Sequence, residues 1–164
     1  LSQSNTNFDS IVTRKIAVLA SNGFSMKDFK AMQKRLEKGG ASLEIIAPHG
    51  GSITCSEGMK HKVDASISTT ESVLFDAIYI PGGEKSIQEL IKNSKYFKFI
   101  NEAFKHCKMI AVDNEGESLL DKTYVVDFKD DDGVLINVKP ERFANAIAQH
   151  RNWKRIENAS TIPV

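Results

Sequence analysis

Chemistry, if this chain performs any, is expected first at Asp113, Asn114 and Glu115. Residues 109–120 read M-I-A-V-D-N-E-G-E-S-L-L, a short apolar run, a polar kink and then the start of a helical pattern. Strand, sharp turn and helix together lift a reacting side chain clear of the carboxyl end of a parallel strand. Covalent catalysis would need a thiol or hydroxyl on that bend, and the amide of Asn114 cannot replace either. Glu115 and Glu117 fall in the first helical turn, where negative charge is favoured by a few tenths to about 1 kcal/mol. There they would oppose an oxyanion forming beside the helix start. Asn114 also tolerates a positive φ better than most residues, so the bend is explicable as structure alone.

Other reactive side chains are scattered. Cys107 falls on the apolar stripe of a helix and reads as core, while Cys55 has Ser and Glu neighbours and no cation to activate it, leaving a regulatory thiol as its one functional reading. His106 ends a helix, where a cation suits the dipole, and His150 is placed to be buried beside Trp153. His49 follows A-P, and His61 lies in an irregular stretch. The run Asp130, Asp131, Asp132 departs from a calcium-loop pattern and reads as a solvated turn, so no metal site is expected. The loop after the first strand, S-N-G-F-S, lacks the glycine pattern for a dinucleotide, and no phosphate-binding loop occurs elsewhere. A phospho-acceptor Asp would be expected where Ile80 and Pro81 stand.

The elements that must position this bend follow in order. Residues 15–20 form an unbroken apolar strand, and Phe29, Met32 and Leu36 recur at helical spacing between a Ser25 cap and Gly39-Gly40. Residues 42–48 give a second strand, so strand, helix, strand points to a parallel sheet. Residues 50–65 suit a small hairpin; residues 77–80 are a buried strand ending in Pro81-Gly82-Gly83, a turn that a site can border. Helices are expected over 86–91 and 94–106. Residues 122–126 and 134–138 read as paired edge strands, and a closing helix starts at Pro140. The fold class is α/β, a flavodoxin-like three-layer α/β/α sandwich with a mainly parallel sheet.

At 164 residues the chain suits one domain. Its 22 basic and 21 acidic side chains give a net charge of +1, which argues against nucleic acid as a partner. No apolar run is long enough for a membrane span, the first residues lack the apolar core of a signal peptide, and two distant cysteines suit a reducing compartment, the cytoplasm.

Three segments carry a family resemblance: V-L-F-D-A-I-Y-I-P-G-G at 73–83, F-I-N-E-A-F-K-H-C-K-M-I-A at 99–111 and F-A-N-A-I-A-Q-H-R-N-W-K-R at 143–155, with A-P-H-G-G at 47–51. In that order they resemble the C-terminal domain of large-subunit haem catalases, a branch of the ThiJ/PfpI, class I glutamine amidotransferase-like superfamily. The resemblance implies a linker at 1–14, a domain at 15–155 and a tail at 156–164. With Gly116 on the family's glycine, Asn114 takes the place of the catalytic Cys, Glu115 that of the His, and Asp28 falls near the family's acid. The site would be a vestigial elbow, bordered by a pocket at Gly82, Gly83 and Asn114. No cofactor is implied for this domain; haem belongs to an upstream catalase core. That core and neighbouring subunits of a homotetramer are the implied partners, and stabilisation, shaping of peroxide access or a chaperone-like role the implied tasks. The alternatives are a free-standing ThiJ/PfpI-like hydrolase or glyoxalase using Cys107 or Cys55, and a self-associating stress protein.

Overall fold

A computed structural model describes residues 10–149 together with 155, 156, 160 and 162. Strands β1 (Lys15–Leu19), β2 (Ser42–Ala47), β5 (Ala65–Ser66), β6 (Ala77–Ile80), β7 (Met109–Val112) and β8 (Val134–Ile136) form one sheet in the order β5-β2-β1-β6-β7-β8. Every neighbouring pair in it runs parallel. Leaving aside the short edge strand β5, this is the flavodoxin-like order. Strands β3 (Ser52–Thr54) and β4 (Lys60–Lys62) make the expected hairpin.

Alternation along the central strands builds the two core layers. Ile16 and Val18 of β1, Ala77 and Tyr79 of β6, and Met109 and Ala111 of β7 point to one side, where Phe29, Met32 and Leu36 of α1 (Met26–Lys38) and Phe143 and Ile147 of α5 (Pro140–Ala148) cover them. Ala17, Leu19, Ile78, Ile80, Ile110 and Val112 point to the other, under α2 (Glu84–Ile91), α3 (Ser94–Lys105) and α4 (Gly116–Leu120). Strands buried on both faces must be apolar throughout, hence their unbroken sequence runs. The caps follow the sequence: Ser25 Oγ accepts from Asp28 N at 3.2 Å, Gly39 follows the last turn of α1, and Pro140 opens α5.

Two expectations are corrected. Residues 122–126 are not a strand. Thr123 caps a 3₁₀ turn, Tyr124–Phe128, by accepting from Val125 N, and the Asn101 side chain takes the Tyr124 N–H. β8 therefore stops at Ile136 and pairs with β7 in parallel, not with an antiparallel partner. The acidic turn is not simply solvated either. Asp131, its side chain 5% exposed, accepts from Arg155 Nε at 3.1 Å and Nη2 at 3.0 Å, and Arg155 Nη1 donates to the carbonyls of Phe104 and Lys108. Both ends of the described chain reach the core, since Ile11 packs in the first layer and Ile162 in the second. His150 and Trp153 lie outside the described residues.

Because the strands are parallel, the loops preceding them gather at one rim of the sheet and the loops following them at the other. The predicted bend is on the second, the carboxyl rim.

Candidate functional site

The bend is held from three sides. Asp113 N donates to Ile80 O as β7 ends; Asn114 turns at φ 48°, and its N–H donates to Asn137 Oδ1 at 2.6 Å. The Asn114 side-chain amide donates to Asp28 Oδ2 at 2.9 Å, and the same oxygen accepts the Gly82 N–H at 3.0 Å. Glu115 Oε1 accepts the Gly83 N–H at 2.9 Å, and the Tyr79 hydroxyl donates to Asp113 Oδ2 at 2.6 Å. Asp28, Gly82, Gly83, Asn114 and Glu115 are thus brought together from three segments of sequence.

Glycine is required at Gly83 and at Gly116, the first residue of α4. A Cβ on Gly83, at φ 110°, would lie 2.4 Å from Gly23 O, so the turn after β6 presses directly on the loop after β1. A Cβ on Gly116 would come within 2.9 Å of Ile80 O, which fixes how closely α4 starts against β6. A cavity of about 300 Å³ opens beside the bend, lined by Lys27, Asp28, Ala31, Asp113, Asn114, Asn137 and Pro140. Gly82 and Gly83 are not among its lining residues; they contribute N–H groups to the acids around it.

Environment drives the carboxyls apart. Burial raises the Asp113 pKa above the ordinary carboxylate value; the Tyr79 hydrogen bond partly offsets this and the nearby Asp28 adds to it. Tyr79 is itself pushed up, by burial first and then by Asp113. Glu115, exposed, is held below the ordinary value by the Gly83 N–H and by its own N–H. Divergent carboxyls are what acid–base chemistry uses, but here each is committed to the scaffold: Asp113 to Tyr79, Glu115 to Gly83, Asp28 to Gly82 and Asn114.

No thiol approaches this bend from β7. Cys107 precedes the strand, at the opposite rim, and Cys55 is buried in the first core layer behind the hairpin; neither cysteine is in a disulfide. His61 packs edge-on against Phe24 and Phe29, at 5.2 and 6.0 Å between ring centroids. His49 lines a separate cleft with Lys85 and Glu89, and His106 follows the last residue of α3. Sequence reasoning missed Tyr79 and Asn137. Asn137, at φ 54° directly after β8, repeats the signal that marked Asn114, an Asn at a strand's carboxyl end. Tyr79 gave none, because an aromatic in a buried strand reads as core.

A family model described as the C-terminal domain found in long catalases matches residues 4–157. The chain belongs to that family. Among curated relatives of this catalase C-terminal domain, "Catalase HPII" of Mycobacterium avium is 34% identical over 97% of the chain, and "Catalase-2" of Bacillus subtilis is 35% identical over 87%. The chain spans 25% and 21% of the length of those two proteins. Among solved structures, oxidised DJ-1 of Toxoplasma gondii superposes with a TM-score of 0.69 at 16% identity, covering 92% of this chain and 96% of that one. A ThiJ/PfpI domain protein of Brachyspira murdochii gives 0.68 at 16%, covering 90% and 98%. At such identities the likeness concerns the fold, and it agrees with the flavodoxin-like architecture read from the sequence. Among the described residues no helix is long and apolar enough to cross a membrane, and no group of three or more His, Cys, Asp or Glu side chains is arranged to hold a metal ion.

Proposed function

We propose that this domain is a non-catalytic accessory to a peroxide-dismutating haem catalase, packing on the catalase core of its own chain and on neighbouring subunits of a homo-oligomer and raising their resistance to unfolding. One observation carries the non-catalytic part. At the bend where covalent chemistry would need a thiol or hydroxyl stands Asn114, its amide tied to Asp28 and its backbone to Asn137. The elbow Asn114, Glu115, Gly116 with Asp28 is then a retired site whose polar groups now brace one another.

Haem is the cofactor such a parent implies, and the residues of this bend do not fit it. The cavity is ringed by Lys27, Asp28, Asp113, Asn114 and Asn137, so a porphyrin would meet carboxylates and no histidine. Haem and the peroxide reaction are assigned to the upstream core. Residues 1–14 serve as the connection, 15–155 as the domain and 156–164 as its tail, with Ile11 and Ile162 packed into its core from both flanks. Two cysteines outside any disulfide suit the cytoplasm.

The test has two arms. The chain is incubated with methylglyoxal, with glutamine and with unstructured peptides; no turnover is expected, and turnover abolished by Cys107→Ser or Cys55→Ser would overturn the proposal. In the intact catalase, deletion of the domain should leave peroxide turnover per haem nearly unchanged and bring thermal inactivation to a lower temperature. Unaltered heat resistance after deletion would refute the stabilising role.

A further inference from the structure

We propose that the amino rim of the sheet, centred on Val73 and Leu74, is the surface by which this domain docks on the catalase body that precedes it in the intact chain. The inference rests on the accessory reading above and names the face that performs it.

Exposed apolar side chains are unevenly distributed. Val73 and Leu74, 66% and 56% exposed, belong to a 3₁₀ turn, Ser72–Leu74, that leads into β6. Val12, three residues before β1, and Ile156, next to the anchored Arg155, are exposed at the same rim. Of the other large exposed apolar side chains among the described residues, Tyr124 and Val126 lie in the 3₁₀ turn between α4 and β8, and Met59 lies in the hairpin loop at the carboxyl rim. Neighbouring apolar groups left in water mark an interaction surface when they lie together, whereas scattered ones mean little.

The turn is also held rigid from below. Lys108 is buried, and its Nζ donates to Ser72 O at 2.6 Å. Arg155 fastens the same corner through Lys108 O at 2.6 Å. Asp76, two residues past Leu74, exchanges hydrogen bonds with the start of β1: its N–H donates to Lys15 O at 2.7 Å and its Oδ2 accepts the Lys15 N–H at 2.8 Å. Val73 and Leu74 therefore face solvent from a fixed platform, with little ordering entropy left to lose when they are covered.

The occupant follows from where the chain arrives. This domain spans about a quarter of the relatives' length and is the C-terminal part of such proteins, so the remaining body comes before it in sequence. The chain reaches the domain at the amino rim, where Thr13 N donates to Gly40 O at 3.0 Å and Ile11 packs against Gly39. Entry at this rim makes the face beside it the one that the preceding body samples at high effective concentration.

The experiment uses the full-length catalase that carries this domain. Leu74→Cys and Met59→Cys are made separately; in the domain these side chains are 56% and 51% exposed, so their intrinsic accessibility is nearly matched, while Cys55 and Cys107 are buried. Alkylation at each position is followed by peptide mass spectrometry and normalised to the unfolded protein. The thiol at position 74 is expected to react about tenfold or more slowly than the one at 59. A benzophenone amino acid at position 71 should cross-link to peptides of the catalase body. Equal rates would overturn the proposal, and cross-links to a second copy of this domain would replace it with self-association. Slower reaction at 59 would move docking to the other rim, overturning the inference and leaving the accessory reading in place. Loss of peroxide turnover in the full-length parent itself would instead refute that reading.

Discussion

Replacing Arg155 by Met should be among the most damaging single changes in the chain. The guanidinium is fully buried, bonded through Nε and Nη2 to both oxygens of Asp131 and through Nη1 to the carbonyls of Phe104 and Lys108, and stacked on the Phe104 ring at 4.1 Å from its centroid. Met keeps the apolar contact with the ring and removes every hydrogen bond of the guanidinium, including both to the buried Asp131 carboxylate. Breaking a buried pair from one side costs about 3–5 kcal/mol. At about 2–4 °C per kcal/mol for a domain of this size, Tm falls by about 6–20 °C. Asp131→Asn retains an oxygen for the Gly133 N–H, which donates to Oδ1 at 2.8 Å, but loses the charge. The two changes share one network, so the double variant should be less destabilised than the sum of the singles by about 1–3 kcal/mol. Urea melts of the four proteins give these numbers, and urea allows salt to be varied. Screening hardly reaches a buried pair, so the coupling should persist at high salt. A loss below about 1 kcal/mol for Arg155→Met, or additive singles, would refute the assignment of Arg155 as the anchor of this corner.

Gly83→Ala is expected to prevent normal folding, because a left-handed φ alone costs about 1–3 kcal/mol and its Cβ would meet Gly23 O at 2.4 Å. Gly50→Ala, with open space around it, should shift Tm negligibly; similar losses for both would refute the close-approach argument. Burial raises the Asp113 carboxyl above the ordinary 3.8, so its contribution to stability is complete below that value and is lost as pH climbs through the folded one. Asp113→Asn stays neutral and can still accept from Tyr79. The variant should therefore gain on the parent in urea melts as pH rises above 3.8, and a gap constant with pH would count against the shift. Cys55 and Cys107 should both resist a thiol reagent in the native chain and react together once it is unfolded; rapid native labelling of either would contradict their burial.

The parts of the fold legible in the sequence are those whose pattern is local. β1, β6 and β7 announce themselves as short runs apolar on both faces, and α1 shows its stripe and both caps within sixteen residues of chain. Residues 122–128 mislead because a 3₁₀ turn that buries Val125 and exposes Tyr124 and Val126 imitates strand alternation; the Asn101 side chain that favours the turn is 23 residues away. Asp131 looked like one of three solvated acids because its partner lies 24 positions on. At the site, the strand, bend and helix could be read from residues 109–120, while the approach of Asp28 to Asn114 and Gly82 depends on contacts far apart in sequence. The Tyr79 bond to Asp113 and the Asn137 bond to Asn114 could not, since each depends on which strands end side by side.

Parallel strands also keep two surfaces apart. The polar bend and the exposed apolar turn at Val73 and Leu74 stand at opposite ends of the same rods, four to six residues long in β1, β2, β6 and β7. A substitution at one end therefore leaves the packing at the other undisturbed, and the two rims are free to change separately.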